Sequence, residues 1–253
     1  TNTNMSNNKK KGSNNNNNVK VPSSDDEHYF LKFPRTRHLF DAGGGVGRDD
    51  LVMDPHEMKE FLKNEIVIEE KVDGANLGIS MTEDYKLQFQ NRSHWVTSAT
   101  ATQWKTLDLW VQSHPGLFNF LNQDLILFGE WLYAKHSIHY TDLPDTFLAF
   151  DIWNKKLQKF LSVNERDKLL EGSGIHTVRN LGRGIYTQDQ LAALLNTNSE
   201  FYNGPIEGVY LRIDDEQNGV LKERAKVVRQ DFLQTNEDGV VEHWTKTSLV
   251  KNI

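Results

Sequence analysis

The chain has 253 residues, with 29 basic against 35 acidic side chains for a formal net charge of −6, 37% hydrophobic residues and no cysteine. That length holds one large domain or two small ones around a real core, and the missing thiols exclude disulfides, thiolate zinc sites, iron–sulfur clusters and a cysteine nucleophile. No apolar run nears the roughly 20 residues that cross a bilayer and no secretory start is present, so an intracellular protein of cytoplasm or nucleus without a membrane partner is expected.

Residues 1–27 form an Asn/Lys-rich tail, with Lys9 to Lys11 and Asn14 to Asn18 unbroken and almost nothing apolar before Val19. Such a stretch buries too little surface to offset its ordering entropy and is expected to be disordered. Residues 28–253 read as a single globular unit. Asp54-Pro55-His56-Glu57 opens a helix with an N-cap, a proline at the first helical position and a glutamate at N3, and Met58, Phe61 and Leu62 supply its buried stripe. Strands are predicted at Ile66 to Val72, Leu77 to Met81 and Tyr85 to Gln90, then a helix from Ala101 to Phe120 interrupted near Pro115-Gly116. Apolar strands follow at Leu125 to Trp131 and Phe147 to Trp153. Capping boxes at Ser162 to Glu165 and Thr187 to Gln190 open two more helices, through Leu170 and Leu195. The last strands are Ile206 to Ile213 and Val220 to Val228. Strands outnumber helices and several are sequence neighbours, which points to an α+β fold with largely antiparallel sheet.

Several tempting signals lack their chemistry. The glycines at 42–47 have neither the following Lys-Ser/Thr nor the preceding strand of a phosphate loop and read as a plain loop. His136 and His139 have no third metal ligand at a useful spacing. Gly172-Ser173-Gly174 reads as a turn, and the six tryptophans as core.

Glu69-Glu70-Lys71-Val72-Asp73-Gly74-Ala75-Asn76 is different. A strand delivers a lysine at its end, followed by the turn dipeptide Asp-Gly and an asparagine. Lysine is a nucleophile only when neutral, and with a reference pKa of about 10.4 only about one in two to three thousand is neutral at pH 7, a deficit of about 4.6 kcal/mol. A site that uses it needs burial, cations or a metal around a phosphate. Charged residues embedded in later strands supply that set: Arg92 after Gln90-Asn91, Glu130 in Phe128-Gly129-Glu130, Asp151 after Phe150, Glu207 before Gly208, and the run Lys222, Arg224, Lys226, Arg229. Arg224 and Lys226 share a face by strand alternation, and Lys222 joins them if the strand is regular.

This order resembles the covalent nucleotidyltransferases, the ATP-dependent ligases and capping enzymes, over about 33–232. Lys71, Asp73, Gly74 and Asn76 match the lysine motif in full, and Lys32-Phe33-Pro34-Arg35-Thr36 and Phe147 to Ile152 are most similar to RNA ligases of the editing and repair type. The resemblance implies antiparallel sheets flanked by helices with the nucleotide between them. It also implies ATP as substrate, Mg2+ or Mn2+ as cofactor, and RNA with 5′-phosphate and 3′-hydroxyl ends as partner. By it, Lys71 forms a lysyl–AMP intermediate. The backbone around Glu70 and Val72 reads the adenine edge, Phe150 stacks on its face, and Glu130 holds the ribose. Asn76 serves the pyrophosphate or ribose region, and Arg92, Arg224 and Lys226 grip phosphates and acidify Lys71. Glu207 holds a metal or orients Lys71 through water, Asp151 is a metal or supporting candidate with simple strand pairing as the alternative, and Asp73 is either part of the site or no more than a turn former.

The final motif usually reads Lys-x-Lys, so the register among Lys222, Arg224, Lys226 and Arg229 is open. Only 24 residues follow Arg229, and the resemblance implies a further module there, which a protein partner would supply. DNA ligase and GTP-using capping chemistry are the enzymatic alternatives, and a non-catalytic nucleic-acid-binding module is the alternative outside enzymes.

Overall fold

A computed structural model describes residues 29–44, 46–47 and 49–229. The tail at 1–27, the stretch beyond 229, and the expectations of disorder and of a further module that fall on them lie outside the described residues. In chain order the elements are α1 (Pro55–Leu62), β1 (Ile66–Lys71), β2 (Ala75–Met81), β3 (Leu87–Gln90), β4 (Trp95–Val96) and α2 (Leu107–Gln112). They continue with β5 (Leu125–Trp131), β6 (Phe147–Asn154), β7 (Lys159–Phe160), α3 (Val163–Leu170), β8 (Asn180–Gly184), α4 (Gln188–Leu194), β9 (Gly208–Asp215) and β10 (Val220–Val228).

The strands form two sheets in which every pairing is antiparallel: β10-β9-β1-β8, and β4-β3-β2-β5-β6-β7. This is the expected α+β class. Strand alternation divides the apolar residues into three cores. Ile66, Ile68, Val209, Leu211, Ala225 and Val227 face outward from the first sheet onto α1 and α4. Leu77, Ile79, Leu125, Leu127 and Ile152 face outward from the second onto α2 and its neighbouring turns. Phe128, Leu148, Phe150 and Val228 fill the layer between the sheets together with Phe33.

The caps behave as their chemistry dictates. Asp54 and Glu57 close a reciprocal box on α1, as Thr187 and Gln190 do on α4, while at α3 the Ser162 hydroxyl accepts from the Glu165 amide. The predicted helix over 101–120 is instead two short 3-10 turns, Thr102–Trp104 and Pro115–Asn119, flanking the single helix α2. Neither Ala101 nor Thr106 provides a side-chain cap, so neither first turn has the N-cap acceptor that steadies a longer helix. Tyr85 is not in a strand: it has φ 63° in a turn in which the Thr82 amide donates to the Lys86 carbonyl. Gly172 and Gly174, at φ 71° and 77°, make the expected turn after α3. Trp104, Trp110, Trp131 and Trp153 are buried as expected, Trp95 is only half-buried, and Trp244 lies outside the described residues.

The segment before α1 adds a strap to the first sheet. His38 bridges Lys226 and Val52, with the Leu39 amide donating to the Lys226 carbonyl (2.8 Å) and the Lys226 amide to the Arg37 carbonyl (3.0 Å).

Candidate active site

The lysine motif is the crossing between the sheets. β1 ends at Lys71 in one sheet and β2 begins at Ala75 in the other, so Val72-Asp73-Gly74 spans layers and does not close a hairpin. Gly74 is required by proximity, because a Cβ there would lie 2.6 Å from the Trp131 carbonyl oxygen. Its amide donates to Glu130 Oε1 (3.0 Å). Asp73 does more than form a turn. Its Oδ2 accepts from the amides of Ser137 (2.6 Å) and Ile138 (2.9 Å), and its own amide donates to the Tyr140 hydroxyl (2.8 Å). The carboxylate thereby pins the β5–β6 loop against the motif.

A cavity of about 280 Å3 opens beside Lys71. Of the predicted residues, Lys71, Val72, Asn76, Arg92, Glu130, Phe150, Glu207 and Lys226 line it. Register explains the convergence: Asn76 pairs with Glu130 across β2 and β5, and Lys226 with Tyr210 across β10 and β9. Phe150 reaches the cavity through a bulge. Pairing steps from Phe128↔Asp151 to Gly129↔Ala149, which leaves Phe150 as the extra residue. Its carbonyl, orphaned by the bulge, accepts from Arg166 Nη1 (2.8 Å) and Arg212 Nη1 (3.3 Å).

Four expectations are corrected. Alternation along β1 turns the Glu70 side chain to the face opposite Lys71, onto Ser199 Oγ (2.9 Å), and its amide is committed to the Arg179 carbonyl (2.8 Å). Glu70 is absent from the cavity wall, and Val72 alone of that pair reaches it. Asp151 is no metal ligand, because its two oxygens are held by Arg212 (2.6 Å) and Arg224 in a buried ion-pair network. Arg224, committed to Asp151 and lying over the rings of Phe33 and Phe160, does not line the cavity either. Lys222 is the extra residue of a bulge in β10 between Leu221 and Glu223, is exposed, and leaves the face of Lys226. The register of the last motif is thereby set by Lys226.

The electrostatics centre on Lys71 and Glu207, whose Oε1 accepts directly from the amine with no water between them. Burial pushes the Lys71 amine down, but Glu207, Tyr210 and Glu130 outweigh it and the net movement is upward. The expected acidification of Lys71 is therefore not met in this state. It falls on Lys226 instead, which burial first and the Lys71 ammonium second push down to about 8. Burial likewise drives Glu207 up to about 8 and Glu130 up to about 7, against the pull of Lys71 on both.

Sequence reasoning missed four contributors to the wall, one of them the segment before α2 with Thr100, Ala101, Gln103 and Trp104. Tyr210 lies beneath Lys71, with Nζ 5.7 Å from its ring centroid, and faces Phe150 at 6.4 Å between centroids. It pairs with Lys226 across β10 and shares the inward face of β9 with Arg212. His136 lines the cavity through the loop that Asp73 pins, and the strap adds Arg35, Thr36, Asp50 and Leu51. The glycine-rich loop is absent from the wall except through its neighbours 50 and 51.

Two sheets with a strand-end lysine between them, facing carboxylates and an aromatic pair, define a nucleotidyltransferase-type domain. A family model for RNA ligase matches residues 64–228, and the chain belongs to that family. Among solved structures it is similar to a Naegleria gruberi RNA ligase mutant with ATP and Mn (17% identity, TM-score 0.56, 78% of this chain and 62% of that one) and to the same ligase with PPi (19%, 0.55, 78% and 61%). A putative ATP-dependent DNA ligase from Aquifex aeolicus is also similar (21%, 0.54, 79% and 50%). The chain thus spans between half and about three-fifths of the length of these ligases. Comparison with curated protein sequences finds no match.

Proposed function

We propose that this domain is the adenylyl-transfer engine of an ATP-dependent RNA ligase and that Lys71 carries AMP as a phosphoramidate. The observation that carries the reading is the direct Lys71–Glu207 contact at the junction of the two sheets, beside Lys226 and an aromatic pair. Family membership and the Naegleria ligase described with ATP and Mn support it.

In this reading the adenine enters beside Phe150 and Tyr210, whose ring centroids lie 6.4 Å apart with planes tilted by 38°, and stacks on the Phe150 face. Val72 meets its edge, and Glu130, fixed by the Gly74 amide, receives the ribose hydroxyls. Lys71 Nζ attacks the α-phosphorus, the bond to the bridging oxygen breaks, and pyrophosphate departs with that electron pair. One proton of the ammonium must leave before attack, and a second leaves once the P–N bond has formed. Glu207, in contact with the amine and pushed up to about 8, is the nearest acceptor. Lys226 and Arg92 face the charge that builds on the non-bridging oxygens.

A divalent ion fits this wall. Glu207 Oε2 and Asn76 Oδ1 are buried without a hydrogen-bond partner, and Mg2+ needs only one or two carboxylates because it keeps several waters. When bound, it would supply positive charge beside the α-phosphate. AMP then passes from Lys71 to an RNA 5′-phosphate, and a 3′-hydroxyl displaces it to form the phosphodiester. No helix among the described residues is long and apolar enough to cross a membrane.

The test is incubation with α-labelled ATP or GTP, followed by sealing of 5′-phosphorylated RNA and DNA strands. Label from ATP, lost in Lys71→Ala with the fold retained, is expected. Label from GTP alone would replace the ligase reading with capping chemistry. Glu207→Ala and Lys226→Ala should each slow adenylylation by at least about tenfold, roughly 1.4 kcal/mol.

A further inference from the structure

Resting on the function proposed above, the chemistry of the three steps leaves one proton without an acceptor. Lys71 has Glu207 against its amine. The 5′-phosphate oxygen that takes AMP is already an anion. The 3′-hydroxyl that closes the phosphodiester is neutral, and it is a poor nucleophile until a base takes its proton.

The cavity wall holds one imidazole, His136. The carboxylates on that wall are engaged: Glu207 with Lys71, Glu130 with the Gly74 amide, Asp73 with the amides of Ser137 and Ile138, and Asp50 with the Gly47 amide (2.7 Å). The Asp73 contacts also place His136. One carboxylate oxygen clamps the two amides that follow it, so the ring is delivered to the wall from a backbone that is held in place. Ser137 is exposed and Ile138 buried, so the loop passes from solvent to interior here, and half-buried His136 stands where the cavity meets the surface. His139, three residues on, is exposed and absent from the wall. Burial pushes the His136 imidazole below its ordinary value of 6.5, and the Asp73 carboxylate draws it part of the way back. Glu130 of β5 and Arg92 after β3 share the wall with it. The ring is therefore neutral at pH 7 and able to accept a proton.

We propose that His136 is the general base of strand sealing. Its imidazole takes the proton of the RNA 3′-hydroxyl as that oxygen bonds to the 5′-phosphorus of the adenylylated end. The bond from that phosphorus to the oxygen it shares with AMP breaks, and AMP leaves with the electron pair as a phosphate anion. The imidazolium then gives its proton to water. Displacement at phosphorus is in line, so the hydroxyl must approach from the side opposite AMP. AMP lies deep beside Lys71, and the opposite side is the mouth toward which His136 opens. Asp73 is the positioning residue: it fixes the loop that carries the ring, and its charge favours the imidazolium that forms.

Sealing of pre-adenylylated RNA to a 3′-hydroxyl strand by the full chain tests this, because it bypasses the chemistry of Lys71. The wild-type rate should fall as pH drops through one ionisation below about 6.5, and His136→Ala should seal at least about a hundredfold more slowly with that limb gone. Added imidazole should restore part of the rate in H136A and leave wild type unmoved. Lysyl–AMP formation from ATP should change by less than about tenfold in the same variant. His136→Gln, of similar size and without a base, carries the same expectation and guards against a fold lost by truncation. A pH limb that survives in both variants, or sealing within about threefold of wild type, would overturn the proposal. Equal losses in sealing and in lysyl–AMP formation, with no rescue by imidazole, would make His136 a binding or folding residue and refute it as well. Wild type that forms no lysyl–AMP yet seals pre-adenylylated RNA through His136 would sink the lysine reading and leave the base in place. Wild type that seals no pre-adenylylated RNA would sink the base.

Discussion

At Gly74 an added Cβ would meet the Trp131 carbonyl at 2.6 Å and a Leu132 methyl at 2.8 Å, both parts of the packed second sheet and the start of its loop. Neither can retreat cheaply, so Gly74→Ala should cost about 1–3 kcal/mol, seen as a lower urea midpoint with an unchanged slope. An unaltered midpoint would mean that the crossing between sheets yields. Glu70 is a second residue with a measurable signature. Burial drives its carboxyl up to about 7 from an ordinary value of 4.5, against the weaker pulls of Ser199 and Arg179. The folded chain therefore keeps a proton that the unfolded chain releases. The resulting stabilisation is complete below about pH 4.5 and is lost as pH rises through about 7. Glu70→Gln should flatten that part of the stability profile by on the order of 1–3 kcal/mol, checked by urea unfolding at about pH 5 and about pH 8.

Among the elements, β6 and β10 show why strand signals are legible before side-chain directions are. Phe147 to Trp153 and Val220 to Val228 are apolar and β-branched enough to read as strands, yet each carries a bulge that no residue in it announces. In β6 the bulge places Phe150 and Asp151 side by side toward the first sheet, and Asp151 then meets Arg212 and Arg224. Asp151→Asn should destabilise by about 3–5 kcal/mol, because it leaves two buried guanidiniums uncompensated. The dependence of adenylylation on Mn2+ concentration should stay as it was, whereas a shifted metal dependence would restore Asp151 as a ligand. The edge strand β8 escaped notice for a different reason. Asn180-Leu181-Gly182-Arg183-Gly184 has two glycines and no alternation, and forms a strand only because β1 offers it partners.

For the molecule as a whole, what could be read from the chain was the order of charged residues within apolar strands, since burying a charge is expensive unless something answers it. That order located Lys71, Glu130, Glu207 and Lys226 on one cavity. It could not tell which charges answer one another: Arg224 and Asp151 looked as chemical as Lys226 and Glu207 but neutralise each other between the layers. Nor could it show the strap, whose contacts to Lys226 span nearly the length of the described chain. Because the cavity is bounded by both sheets, a nucleotide should brace them together. The unfolding midpoint should climb with ATP concentration, by about 2.7 kcal/mol of apparent stability at a hundred times the dissociation constant. The climb should disappear in a Phe150→Ala, Tyr210→Ala variant.

The unpaired residue in β6 serves packing and use together. Deleting Phe150 would give the ladder an unbroken run of partners, but it would carry off the carbonyl that Arg166 and Arg212 share and the ring that stands between the sheets. Shortening this strand is therefore expected to cost heat resistance and nucleotide affinity at once, so neither can be traded for the other there.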